Sequence, residues 1–592
     1  MAAVLSGCTP ATTVVAGSEV AVAVTAGFTS ANASTSFGRS SVTNADVAYL
    51  TGTGFGYYDD SYALVQDASF GSATVVADDP LTVRYTVSDD AKWSDGASVD
   101  AADLLLAWAA NSGALNTPKF DDAPFIDPAT GRYTDAFPAD VVFFDGAVGG
   151  GLERATATPV VSDDGRSLDV HYESYFSGWR TALAPGVPAH VVATEALDLP
   201  AASTPTEADD AVIEAITSGD ETDLGAIARF WNDAYNFTEV PGDAALLVSA
   251  GPYTVTDLVD NESITLTANP AYRGSREPNF ETIVLRVSPD PLETVGLLAA
   301  HEVDIASPQP SKDVIAALRS VDGVSVSAGS EGTFEHLDLQ FAGSRSLDVA
   351  DPLVRRAFMD VVPRQQILDE LVTPLQEDAA LLESFTLRPG ADGYADAIAE
   401  NGSTDYAETD VAGARALLAE AGQSAPSVCI LYDPANPRRV AEFQLIQTSA
   451  ARAGFVVSDC SNGDWQGLLG VAGTYDAALY AWDTTRLGPA AVSAVFRSDS
   501  ELANFSHYGS PLVDALIDQL DATDAPVEQT GLLAEIDKQI WQDAYGLPLF
   551  AFPTVTAVSQ RVTGVTRSPL SRGVFWNAWE WAPAAASASP TP

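Results

Sequence analysis

Hydrophobic and polar positions change rhythm repeatedly along this chain. Residues 18–28, SEVAVAVTAGF, alternate as a strand with one buried face and run into a polar loop, TSANASTSFGRSSVTNADVAYL. LTVRYTV (81–87) predicts a second strand, followed by the tight turn Trp93-Ser94-Asp95-Gly96. The next helix opens with Asp100 and Asp103, whose charges suit the positive end of a helix dipole. Segment 111–160 is rich in Pro, Gly and Asp; SLDVHYES and VPAHVV read as strand-like pieces, and 201–240 as an acidic helical insertion. ITLTA alternates again, Asn269-Pro270 marks a turn, and IVLRV runs into the helix-like PLETVGLLAAH. Further on, 351–372 reads as a helix interrupted at Pro363. Residues 436–454 place Val440, Phe443, Ile446, Ala450 and Ala453 on one face and stop at Gly454. SVCILYD, that helix and FVVSDC make a βαβ unit. Ser510-Pro511 starts LVDALIDQL, LLAEIDKQIWQDAYG ends at Gly546, and LPLFAF follows. Repeated strand–helix alternation without a fixed-period repeat predicts an α/β protein.

Composition narrows the classes. At 592 residues, 46% apolar and 19% charged, the chain has room for two or three globular domains. Its net charge of −52, from 81 acids against 29 bases, repels phosphate backbones and anionic lipid surfaces, which argues against nucleic-acid binding. No later stretch approaches the roughly 18 uninterrupted apolar residues of a membrane span. Three Cys do not make a disulfide scaffold. Cys8, in Leu5-Ser6-Gly7-Cys8, matches a bacterial lipobox and precedes a Thr/Ala-rich tether. That implies an extracytoplasmic, lipid-anchored protein, although MAAVLSG is too short for a whole signal peptide. Export favours a bridge between Cys429 and Cys460. Their places early and late in neighbouring strands put them roughly 13 Å apart in register, a gap that only stagger would close.

Three blocks in fixed order carry a family likeness: Gly251-Pro252-Tyr253, then Asn269-Pro270-x-Tyr272, then IVLRV leading to Glu302-Val303-Asp304-Ile305. With the strand, DG turn and helix of 81–108, they resemble the extracellular solute-binding proteins, family 5, of oligopeptide- and nickel-type ABC importers. The resemblance implies a two-lobed periplasmic-binding-protein-like α/β fold with an extra small domain in the first lobe and a ligand cleft between lobes. It implies 1–17 as lipobox and tether, 18–290 as lobe I with an accessory subdomain at about 50–180, and 291–547 as lobe II. Residues 548–581 would return to lobe I, and 582–592 would be a disordered tail. Where the family shows Asp before Arg after its "VRxAhxxAh" helix, this chain has Pro363-Arg364.

No catalytic constellation emerges. His301-Glu302 begins like HExxH but meets Ile305, Ser330 lacks the GxSxG frame, and Cys429 sits in an apolar strand. TGTGFG (51–56) fits no phosphate-loop pattern and reads as a turn. A binding protein, with no cofactor or metal, is expected ahead of a hydrolase or a signalling protein on the same fold. Three clusters are candidates for its ligand. Phe28, Ser30 and Asn32 lie on the loop after the first strand. Phe334, Glu335 and His336 lie in an alternating segment that puts Glu335 on the opposite face. Tyr480, Trp482, Asp483, Thr485 and Arg486 precede Pro489. Oligopeptide-binding relatives keep the Trp-to-Pro spacing and carry an Asp three residues after the Trp for the peptide ammonium. Thr485 stands there here, with a carboxylate instead at Asp483. Peptides or other amino-bearing solutes are therefore expected first, with sugars, opines or metal chelates as alternatives. The partners implied are an ABC permease and ATPase, and the protein itself is expected to be a monomer.

Overall fold

The computed structural model describes residues 14–585, apart from 61–62, 79, 147–150, 174, 176, 201, 484–488, 501–502, 524 and 571–572. Fourteen strands build its two main sheets. They are β1 (Val15–Val24), β2 (Gly71–Asp78), β3 (Leu81–Val87), β4 (Val160–Val161), β5 (Ser167–His171), β6 (Tyr253–Val259), β7 (Ser263–Ala268), β8 (Phe280–Val287), β9 (Ile305–Ala306), β10 (Val324–Leu339), β11 (Ser427–Leu431), β12 (Val456–Asp459), β13 (Ala477–Asp483) and β14 (Gly546–Ser559). Strands β2 to β5 form an antiparallel sheet in the order β2-β3-β5-β4. The other ten form one sheet, β12-β11-β13-β10-β14-β9-β1-β8-β7-β6, shared by both lobes.

Two long strands join the halves. β10 has 16 residues and β14 has 14, so β10 spans about 50 Å at roughly 3.3 Å per residue. They pair antiparallel from Val324↔Ser559 to Ser330↔Pro553 and again from Phe334↔Ala551 to Asp338↔Gly546, with the register broken between. One half carries the lobe II core of Leu337, Phe358, Ile430, Ile446, Leu479 and Ile540. The other half carries lobe I. The alternation in β1 sends Val20 and Val22 to a core with Leu266, Leu285, Phe575 and Trp581, and Ala21 to the opposite face with Val295, Leu298 and Ala557.

Packing moves three expected boundaries. Residues 291–323 were read into lobe II, but helices Pro291–Ala299 and Lys312–Arg319 pack on the Ala21 face, and Ile305 pairs with Val22 of β1. We therefore draw the first change of lobe inside β10, near 330–333, and not at 288–291. The accessory core is also larger than 50–180. It runs from Phe55 through Trp108 and Leu168 to helices Pro205–Ser218 and Glu221–Asp233. Ala582 and Pro583, read as the start of a disordered tail, pair with Thr563 and Val562.

The sequence blocks have local causes. A Cβ on Gly251 would come within 2.4 Å of the Thr51 carbonyl carbon, so this approach admits only glycine. Asn269 donates Nδ2–H to the Gly251 carbonyl at 2.9 Å and its own N–H to that of Pro252 at 2.8 Å. The Gly-Pro-Tyr and Asn-Pro-x-Tyr blocks thus meet across the open end of the β6–β7 hairpin. At the other motif, Asp100 caps helix Ala101–Ser112, and Asp103 accepts from Trp93 Nε1 and the Asp100 N–H.

Candidate binding site

Where the pairing of β10 and β14 breaks, a cavity of about 890 Å3 opens between the lobes. That size suits a small solute. Its floor is the hydroxyl face of the long strands: Ser325, Ser327 and Ser330 from β10, Thr554 and Thr556 from β14. Lobe I supplies Val562–Arg567 and Pro569, lobe II supplies Leu382, Ser384 and Leu387–Ala391, and Asp60 reaches in from the accessory domain. Both signs of charge are present: Arg388 and Arg567 against Asp60 and Glu331. Arg567 meets Glu331 at 3.5 Å, and burial holds its pKa below the ordinary guanidinium value. Among the described residues, Arg567 Nε and the Thr554 hydroxyl are buried without hydrogen-bond partners. On the other face of the same strands, a cavity of about 410 Å3 shares Glu331, Thr554, Arg567 and Pro569. It reaches Val24 and Thr25 at the carboxyl end of β1, where α/β sheets place their ligands.

Only part of the expected constellation lies here. Phe334 lines the cavity and pairs across strands with Trp482. Half-buried Trp482 joins Phe334, Phe385, Val492 and Phe496 around a void of about 20 Å3. His336 and Tyr480 do not reach the cavity. Asp338 accepts from His336 Nδ1 at 2.7 Å, Tyr480 OH at 2.7 Å and Tyr545 OH at 2.8 Å, and His336 is fully buried. Burial, then the Asp338 charge, raises both tyrosine pKa values. Glu335 lies on the opposite face, as alternation predicted, but it is fully buried between Arg438 (2.8 Å) and Arg439 (2.9 Å). Beneath it, burial and then Glu335 push the Glu442 carboxyl up. These groups fix helix Pro437–Ala451 to β10 and are closed to a solute.

The first cluster lies away from the interlobe cavity, and of its residues Asn32 lines a separate cavity. Phe28 packs on Phe237 at 5.8 Å, the Ser30 N–H bonds Asn44 Oδ1 at 3.3 Å, and Asn32 Nδ2 donates to the Trp231 carbonyl at 2.9 Å. Asp483 ends β13 opposite Thr333. Thr485, Arg486 and Cys8 lie outside the described residues. Sequence reasoning missed Arg388, Arg567 and the serine face. The one signal was VSVSAGS, whose alternation gives β10 a polar side. Cys429 and Cys460 are bonded, with Cα atoms 5.6 Å apart. Stagger closes the gap: Cys429 stands opposite Ser458, two residues from Cys460 rather than four.

The profile of the bacterial extracellular solute-binding proteins, family 5, matches residues 69–504. The chain belongs to this family. An uncharacterized lipoprotein of Mycobacterium tuberculosis is 28% identical to this family 5 protein over 574 residues, covering 93% of this chain and 90% of that one. The oligopeptide-binding protein OppA of Mycobacterium bovis is 25% identical over 509 residues, covering 84% and 74%. Among solved structures, the periplasmic EDTA-binding protein EppA superposes with a TM-score of 0.75 at 19% identity, covering 96% and 97%. The fold of this family 5 protein is accordingly that of the two-lobed periplasmic solute-binding proteins.

Proposed function

We propose that this family 5 protein captures a small polar solute in the interlobe cavity, outside the cytoplasm, and delivers it to the permease of an ABC importer. The observation that carries this reading is the cavity of about 890 Å3 whose walls come from both lobes and whose floor is the pair of strands joining them. Closure around a solute at such a seam is how hinged binding proteins act. Arginines and acids share its lining, which suits a solute bearing both a carboxylate and an amino group, a short peptide foremost. OppA, named for oligopeptide binding, supports that ranking, and EppA, named for EDTA binding, supports a carboxylate-bearing solute. Relatives named as lipoproteins support anchoring through Cys8.

Titration calorimetry with short peptides and free amino acids tests the site. A peptide should bind, and Phe334→Ala and Arg567→Gln should each weaken it by roughly tenfold or more, the effect of losing one good anchor. Peptide affinity unchanged in both variants would move the site elsewhere. Failure of every peptide to bind would reject the peptide class.

A further inference from the structure

A cavity of about 390 Å3 lies between lobe I and the accessory domain. Helix Val42–Thr51 separates it from the interlobe site: Val42, Thr43 and Asp46 face the cavity at the β1 end, while Val47–Tyr49 and Thr51 line this one. It shares no lining residue with either interlobe cavity. In a chain of net charge −52 its lining contains no acid, and Arg276 is its one charged residue.

Arg276 is 5% exposed and forms no ion pair among the described residues. Its Nη2 donates to the Gly52 carbonyl at 2.9 Å, while Nε is buried without a partner among the described residues. The rings of Tyr49, Tyr57 and Trp579 surround the guanidinium at 5.7, 5.9 and 5.4 Å. Its backbone N–H bonds the Tyr272 hydroxyl, so the Asn-Pro-x-Tyr block sets its position. Tyr235, 1% exposed, lines the same cavity and also has a buried hydroxyl with no hydrogen-bond partner among the described residues. Burial holds that hydroxyl protonated, as a donor. A buried guanidinium N–H and a buried hydroxyl, neither with an acceptor among the described residues, are both costly, and an entering carboxylate gives both an acceptor.

The rest of the lining selects the anion. Val187, Leu246 and Val255 are apolar, and one cation balances one negative charge. We propose that this cavity is a second ligand site, for a small organic monocarboxylate. Its carboxylate takes the free donors of Arg276 and the Tyr235 hydroxyl, and its apolar part rests on Val187, Leu246 and Val255.

Titration calorimetry of the full chain with sodium hexanoate, and with sodium phosphate and hexanol as contrasts, tests this. Hexanoate should bind wild type, and phosphate and hexanol should not. Tyr235→Phe should weaken hexanoate about tenfold or more, the usual cost of losing a hydrogen bond to a charged group. Arg276→Met should abolish binding, and Arg567→Gln should leave it unchanged. If Arg276→Met does not fold, Tyr235→Phe decides, because its hydroxyl bonds no described residue. Absence of hexanoate binding, full affinity in Tyr235→Phe, loss in Arg567→Gln, or equal binding of phosphate or hexanol would each overturn the proposal.

Discussion

Two carboxyls in the accessory core are held toward their protonated forms. Burial, then Asp100, pushes Asp103 up to about 7. Burial, then Asp103, pushes Asp209 up to about 9. Both folded-state pKa values exceed the unfolded value of 3.8. The stability these groups contribute is therefore fully present below that value and is lost as pH rises through about 7 and about 9. Asp209→Asn should raise the urea midpoint near pH 9 and change it little near pH 4. Equal effects at both would show that Asp209 does not titrate there. None of this was legible beforehand, since the sequence shows acids everywhere and burial selects which of them shift. The same blindness touched the candidate site. Ser30 and Asn32 have the composition of a ligand loop, yet their hydrogen bonds close onto their own lobe. Glu335 was correctly placed on its own face, but Arg438 and Arg439 already occupy it.

At the scale of elements, the periodic segments were readable because a strand or helix declares its buried face. The βαβ unit formed as expected, as did the helix breaking at Pro363, which caps Arg364–Ile367. Arg364 then bonds the Leu382 and Pro548 carbonyls, tying the cavity wall to β14, and burial lowers its pKa to about 10. What the pattern could not give was stagger, because the offset of parallel strands depends on the helix and loops between them. The Cys429–Cys460 bridge encloses a separation of 31 residues, for which loop-closure entropy suggests about 3–4 kcal/mol. Replacing both cysteines by serine should lower the unfolding free energy by that order in denaturant melts. Solute affinity should change little, since neither cysteine lines the interlobe cavity. An unchanged melt would show that the packed βαβ unit holds itself without the bridge.

For the whole molecule, the two-lobed plan followed from motif order, but the seam did not. Residues 291–323 continue the strand–helix rhythm unbroken, and only the pairing of Ile305 with Val22 reveals which lobe they serve. Because β10 and β14 are bonded on both sides of the break between Ser330 and Phe334, the lobes should move by bending there. Small-angle scattering should show a smaller radius of gyration once a verified solute saturates the interlobe cavity. A constant radius would mean a site already closed in the free protein.

The return of the last segment to lobe I also sets a clock. β1 is made before every other strand described above, yet the core on one of its faces includes Val574, Phe575 and Trp581, about 550 residues later. At roughly 5–20 residues per second of synthesis, half a minute to two minutes separates them. The accessory domain and lobe II are assembled from stretches completed within that interval. One face of β1 thus stays uncovered until residues 574–581 are made.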